Sequence, residues 1–126
     1  MNKVILIVDD SATVRKFVAT SLNLKGYKVI AAADGMEALE KMPLENVDLV
    51  ITDLNMPDMD GFEFIKTLQE TPEFKHIPII ILSSITDEED KKRGYQLGAI
   101  SYIEKPFSIE KIQKEVERAL QESVPQ

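Results

Sequence analysis

The chain has 126 residues, 44% of them apolar and 29% charged, with no cysteine. That is the size and make-up of one self-sufficient globular domain over 1–126, and it excludes disulfides, thiolate metal centres and a cysteine nucleophile. Fifteen basic residues against 22 acidic ones give a formal net charge of −7, which repels a phosphate backbone and argues against direct nucleic-acid binding.

In chain order, the first apolar run, Lys3 to Val8, reads as a strand. It is followed by Asp9 and Asp10, and then by a helix behind Ser11 that places Val14, Phe17, Val18 and Leu22 on one face and stops at Gly26. A second strand is predicted over Tyr27 to Ala32, and a helix opens at Asp34-Gly-Met-Glu37, a cap residue with a glutamate at the third position beyond it. The third strand, Asp48 to Thr52, leads into Asp53, and the next helix opens in the same way at Asp60-Gly-Phe-Glu63. His76, the only histidine, falls in the loop before the fourth strand, Ile77 to Leu82, and has no helical surroundings.

Ser83 comes next, and the spacing predicts a helix opening at Thr86-Asp-Glu-Glu89. The acids from Asp87 to Asp90 suit the positive helix terminus they would occupy. The fifth strand is predicted over Ile100 to Ile103, ahead of Lys105. Behind Ser108, an expected N-cap, Ile109, Ile112, Val116 and Leu120 make the stripe of a last helix, and Ser123 to Gln126 should fray.

Strand-length runs thus alternate with helix-period stretches through the whole chain. The strands are almost continuously apolar, as strands covered on both faces are. Right-handed crossovers then give a doubly wound three-layer α/β sandwich, in which function gathers at the carboxyl ends of strands. No apolar run is long enough to cross a bilayer and no signal-peptide pattern opens the chain, so a cytoplasmic protein with no membrane partner is expected.

Asp9, Asp10 and Asp53 all follow strands, so their side chains should meet at one edge of the sheet. Three carboxylates in one cleft repel each other unless a hard divalent cation lies among them, and magnesium fits such a sparse oxygen set better than calcium. The alternative is that Asp9 and Asp10 merely cap a helix and Asp53 starts a turn. Ser83 and Lys105 at two further strand ends add a hydroxyl and an ammonium to the same edge, and together they favour the functional reading.

These residues resemble the receiver domains of two-component response regulators, the CheY-like family, over essentially the full length. The resemblance is carried by Asp9-Asp10, Asp53-Leu-Asn-Met-Pro-Asp-Met-Asp-Gly61, Ser83-Ser84 and Tyr102-Ile-Glu-Lys-Pro-Phe107, in order. It implies a flavodoxin-like fold with strand order 2-1-3-4-5 and five helices, and it makes Asp53 the phosphoacceptor. Asp10, Asp53 and the Asn55 backbone carbonyl would ligate Mg2+, with Asp9 acting mostly through metal-bound water. Lys105 would pair with the phosphoryl group across a cis Lys105-Pro106 bond, Ser83 would bind a phosphoryl oxygen, and Tyr102 would change rotamer as Ser83 moves. Read without the resemblance, Tyr102 is a ring at the sheet edge with its hydroxyl in water.

The implied partners are a sensor histidine kinase or phosphotransfer protein and a downstream protein. That second partner would meet the face formed by the fourth helix, fifth strand and last helix, and the chain would be a monomer or weak dimer. The domain would catalyse its own phosphorylation and dephosphorylation without turning over a separate substrate. Ile85 is expected to shield the acyl phosphate, and Ser84 stands where the family commonly has alanine, leaving less room for Tyr102. A phosphatase of the haloacid-dehalogenase type would need a second aspartate where Asn55 stands. A phosphorylation-independent scaffold of the same fold is the other reading, and the complete acidic set with Ser83 and Lys105 argues against it.

Overall fold

The computed structural model describes residues 2–56, 59–85 and 87–122. Thr86 as a cap, and the expected fraying of Ser123 to Gln126, lie outside the described residues, as do Pro57 and Asp58 of the long motif. The elements are β1 (Val4–Val8), α1 (Ala12–Asn23), β2 (Lys28–Ala32), α2 (Gly35–Lys41), a 3-10 turn at Met42–Leu44, β3 (Leu49–Thr52), α3 (Gly61–Glu70), β4 (Ile79–Ser83), α4 (Glu88–Gln96), β5 (Ser101–Glu104) and α5 (Ile109–Glu122). The five strands are parallel and lie in the order β2-β1-β3-β4-β5. This is the flavodoxin-like arrangement.

The strands look unbroken in sequence, yet their residues divide by parity between two cores. Leu6, Val8, Val50 and Ile81 pack on the side that carries Phe64 and Leu68 of α3. Ile5, Ile7, Ile51 and Leu82 pack on the opposite side, against Val18 of α1 and Val116 of α5. Both faces of the sheet are therefore dry, which is why polar alternation is missing from the sequence.

Helix starts follow the sequence closely because capping is a local interaction. Ser11 Oγ accepts from the Val14 N–H at 3.3 Å, Asp34 from Glu37 at 2.8 Å and Asp60 from Glu63 at 2.8 Å. Glu37 returns its carboxylate to the Ala33 N–H at 2.6 Å, one residue before the cap. At α4 the cap is Asp87, accepting from Glu89 at 2.8 Å, with Glu88, Glu89 and Asp90 in the first turn. Ser108 Oγ accepts from the Lys111 N–H at 3.0 Å, as a cap for α5 should.

Several expectations shift. β4 begins at Ile79, not Ile77, because Pro78 has no N–H for a ladder, although its carbonyl accepts from Val50 at 3.0 Å. Ser83 is the last residue of β4 and pairs in register with Glu104 of β5. β5 starts at Ser101, not Ile100, which is 38% exposed. Ile109 leaves the α5 stripe at 37% exposure, while Ile112, Val116 and Leu120 are buried. Phe17 is also partly exposed and meets Phe107 edge-on, with ring centroids 5.4 Å apart.

α4 differs from the other helices. Gly94 is its one buried residue among those described, and a Cβ there would come within 2.4 Å of Ile81 Cδ1, so the helix backbone lies almost on the sheet. Its cations grip aromatic rings on either side: Arg93 lies 4.1 Å from the Phe62 centroid and Lys91 lies 5.6 Å from that of Tyr102.

Candidate functional site

The register of the central strands places the acids. Val8 pairs with both Ala32 and Thr52, so Asp9 and Asp53 each stand one residue beyond aligned strand ends. Backbone bonds extend this alignment: the Asp9 N–H donates to the Ala32 carbonyl at 3.1 Å and the Asp53 N–H to that of Val8 at 2.9 Å. On the other side, the Lys105 N–H donates to the Ser83 carbonyl at 2.9 Å, which brings the start of the β5–α5 loop to the same edge.

Asp9 is fully buried and its carboxylate is fixed at both oxygens. Oδ1 accepts from the Ser11 N–H at 2.9 Å and Oδ2 from the Lys105 ammonium at 2.7 Å. Asp53 is 5% exposed; its Oδ1 accepts from the Leu54 N–H at 2.7 Å, and its Oδ2 faces Lys105 Nζ at 3.3 Å. Asp10 is the exposed member, and the three carboxylates each offer an oxygen within 4.8 Å of the others. The sequence expectation that these acids and Lys105 meet is fulfilled, and the Lys105-Pro106 peptide is cis.

The electrostatics are lopsided. Burial pushes the Asp53 carboxyl above its usual range, and the neighbouring Asp9 adds to this against the pull of Lys105. Burial alone would lower the Lys105 pKa, but the Asp9 and Asp53 carboxylates outweigh it and raise it, so the ammonium stays charged. The Lys105 ammonium pairs with two of the three clustered carboxylates and leaves Asp10 without it. Hard oxygen donors, two of them buried, with excess negative charge form a donor set that fits a small divalent cation of the magnesium type.

Ser83 is buried, and its Oγ accepts from the Ile85 N–H at 3.1 Å. The Ile85 carbonyl in turn accepts from the Tyr102 hydroxyl at 2.7 Å. Tyr102 therefore rests half-buried against the core with its hydroxyl on the β4–α4 loop, not in water, and burial foremost raises its pKa. Ser84 is exposed, and Asn55 is exposed two residues beyond Asp53, with its N–H 3.4 Å from Asp53 Oδ1. His76 is exposed in the turn before β4 and borders a cleft of about 650 Å3 with Met42, Val47 and Phe74, whose lining includes none of Asp9, Asp10 and Asp53.

Two contributors were invisible in the sequence. Arg15 of α1 reaches back so that Nη1 donates to the Asp9 carbonyl at 2.7 Å, a bond without a sequence signature. Gly61 opens α3 so close to the acceptor loop that a Cβ would lie 2.3 Å from the Asp53 carbonyl oxygen. The sequence placed it at a helix start and at the end of the motif that carries the resemblance, but gave no sign of this contact.

Comparison with known proteins gives a consistent picture. The family model for the response regulator receiver domain matches residues 5–117. The chain is 39% identical over 123 residues to the alkaline phosphatase synthesis transcriptional regulatory protein PhoP of Bacillus subtilis, covering 98% of this chain and 50% of that protein. It is 40% identical over 116 residues to the probable transcriptional regulator ycf27 of Porphyridium aerugineum, covering 92% of this chain and 47% of that one. The chain thus spans about half the length of these curated relatives. Among solved structures, chemotaxis response regulator CheY4 of Vibrio cholerae superposes with a TM-score of 0.89 at 39% identity, covering 94% of this chain and 99% of that one.

Proposed function

The chain belongs to the response regulator receiver domain family of two-component signalling, and from that premise we propose that it is a phosphorylation switch whose acceptor is Asp53. The observation that carries the reading is the meeting of Asp9, Asp10 and Asp53 within 4.8 Å with the Lys105 ammonium set against two of them. Asp10, Asp53 and the Asn55 backbone carbonyl would hold Mg2+, with Asp9 outside the direct ligand set. When bound, magnesium supplies positive charge to the phosphoryl oxygens as negative charge spreads over them.

The chain's own groups then have distinct tasks. The Leu54 N–H fixes Asp53 Oδ1. An Asp53 carboxylate oxygen attacks phosphorus, the P–N bond of the donor phosphohistidine breaks, and the departing imidazole nitrogen takes up a proton. With a small acyl phosphate the leaving group is a carboxylate. Lys105, 3.3 Å from Asp53 Oδ2, stabilises the transferring phosphoryl oxygens. Hydrolysis by water later regenerates the Asp53 carboxylate, so the cycle modifies and restores the domain itself and is not the turnover of a separate substrate.

Ser83, at the end of β4 with its carbonyl bonded to the Lys105 N–H, would donate its hydroxyl to a phosphoryl oxygen. Drawing it inward would disturb the relay from Ser83 Oγ through Ile85 to the Tyr102 hydroxyl. That relay leads to α4, β5 and α5, the face proposed to meet a downstream protein. The phosphodonor is a histidine kinase or phosphotransfer protein, and the setting is the cytoplasm. Among the described residues no helix is long and apolar enough to cross a membrane.

Intact-mass measurement after acetyl phosphate, with and without Mg2+, tests this on wild type and Asp53→Asn. One added phosphoryl group on the wild type, dependent on Mg2+ and missing from the variant, is expected. An unmodified wild type, or a variant modified equally, overturns it.

A further inference from the structure

Side chains on a helix lean towards its amino terminus, so a long residue in the first turn can reach the chain that precedes the cap. Arg15 does this. Its backbone N–H bonds the Ser11 carbonyl at 3.0 Å as an ordinary helical residue, while its guanidinium Nη1 donates to the Asp9 carbonyl at 2.7 Å. That carbonyl belongs to the peptide plane joining Asp9 to Asp10.

The other polar groups of Asp9 are already anchored: its N–H on Ala32, Oδ1 on Ser11 and Oδ2 on Lys105. None of these bonds fixes the rotation of the Asp9–Asp10 peptide as directly as a donor on the carbonyl itself. Asp10 is the one exposed carboxylate of the three and lacks the enclosure that holds Asp9 and Asp53. Its direction depends on the backbone that carries it.

We infer that Arg15 is a positioning residue for the metal site, holding the Asp9–Asp10 peptide so that the Asp10 carboxylate faces Asp53. The inference rests on the metal-dependent reading above and adds a residue to it. It also makes a claim of sign. A guanidinium beside a cation site is a positive charge, and through charge alone its loss would tighten metal binding. If orientation dominates, its loss weakens binding. The nearby carboxylate of Glu37 reduces the electrostatic penalty: that group is held below its usual range chiefly by the Ala33 N–H, then by Lys41 and, more weakly, by Arg15.

The test is Mn2+ binding by electron paramagnetic resonance, repeated by calorimetry with Mg2+, on the full chain as wild type, Arg15→Gln and Arg15→Lys. Arg15→Gln is expected to bind Mn2+ about tenfold more weakly, the low end for residues that orient metal ligands. Arg15→Lys keeps a cationic donor and is expected to recover part of the loss. The Mg2+ concentration that half-saturates phosphorylation by acetyl phosphate should rise in Arg15→Gln in step with its weaker Mn2+ binding, because an orienting role acts on metal affinity. Affinity that is unchanged or tighter in Arg15→Gln overturns the positioning role and leaves the phosphoacceptor reading standing. A wild type that binds neither ion overturns the metal site itself. Should Arg15→Gln fail to fold, Arg15→Lys and Arg15→Met decide, each checked for folding by its metal-free melting curve: weaker binding in Arg15→Met than in Arg15→Lys sustains the role, and wild-type affinity in Arg15→Met overturns it.

Discussion

The Lys91 ammonium lies 5.6 Å from the centre of the Tyr102 ring and is paired with Glu104 on the same strand as that ring. It also lies 3.7 Å from Glu88, one turn back on α4. Lys91 thus ties a helix without a buried apolar stripe to the residue whose hydroxyl holds the β4–α4 loop. Lys91→Ala should therefore loosen α4, read as faster amide exchange across Glu88–Gln96 while α1 and α3 keep their protection. Unaltered exchange in that segment would show that the close contact of Gly94 with Ile81 is enough to hold the helix.

Ile85 uses both its backbone groups in the relay between Ser83 and Tyr102, while its side chain packs partly buried against the core. An acyl phosphate at Asp53 is consumed by water, so an apolar side chain in this loop should prolong its life. Ile85→Glu is expected to lose phosphate faster than wild type in a single-turnover decay followed by intact mass. An equal or slower decay would remove Ile85 from the account of signal lifetime.

Two glycines offer a contrast. A Cβ on Gly61 would strike backbone, 2.3 Å from the Asp53 carbonyl oxygen and 2.5 Å from Leu54 Cα, and the acceptor loop itself would have to move. A Cβ on Gly94 would meet only the tip of Ile81, 2.4 Å away, which can turn aside. Gly61→Ala should cost about 1–3 kcal/mol in urea unfolding and impair phosphorylation. Gly94→Ala should fall within about 1 kcal/mol of wild type, since alanine favours the helix. Equal costs at the two sites would mean that the loop after Asp53 yields more easily than its packing indicates.

Glu115 is a buried carboxylate outside the phosphoacceptor site. Burial alone would raise its pKa, but the Ser101 hydroxyl at 2.8 Å, Lys111 at 3.2 Å and Arg118 at 3.9 Å outweigh it and hold the carboxyl below its usual range. A folded-state pKa below the unfolded value of about 4.3 makes this stabilisation fully present above that value and progressively lost as pH falls through the folded one. Glu115→Gln should cost about 1–2 kcal/mol at neutral pH, and the gap to wild type should close between about pH 5 and pH 3. A gap that stays constant over that range would show that packing, not charge, makes Glu115 matter.

The helix caps at Asp34, Asp60 and Ser108 were legible because a cap bonds residues only three positions away. The strands were legible as apolar runs, with ends shifted by one or two residues: β4 starts after Pro78, whose missing N–H is readable in the sequence, whereas β5 starts at Ser101 although the Ile100 N–H still donates to the Ile79 carbonyl at 2.9 Å. The acidic set could be assembled in advance because parallel strands joined by right-handed crossovers send their carboxyl ends to one edge. Tyr102 was harder, since nothing local distinguishes a hydroxyl in water from one bound to the Ile85 carbonyl.

By itself, the sequence determined which segments are strands and helices, and which chemistry-bearing residues follow them, because both depend on neighbours a few positions away. Strand order and register decided that the Lys105 ammonium sits 2.7 Å from Asp9 and 3.3 Å from Asp53. Close approach of the α3 start to the loop after Asp53 made Gly61 obligatory, and the path of the β1–α1 loop put the Asp9 carbonyl within reach of Arg15, six residues on. Such contacts form only once both faces of the sheet are covered, and no short-range pattern along the chain encodes them.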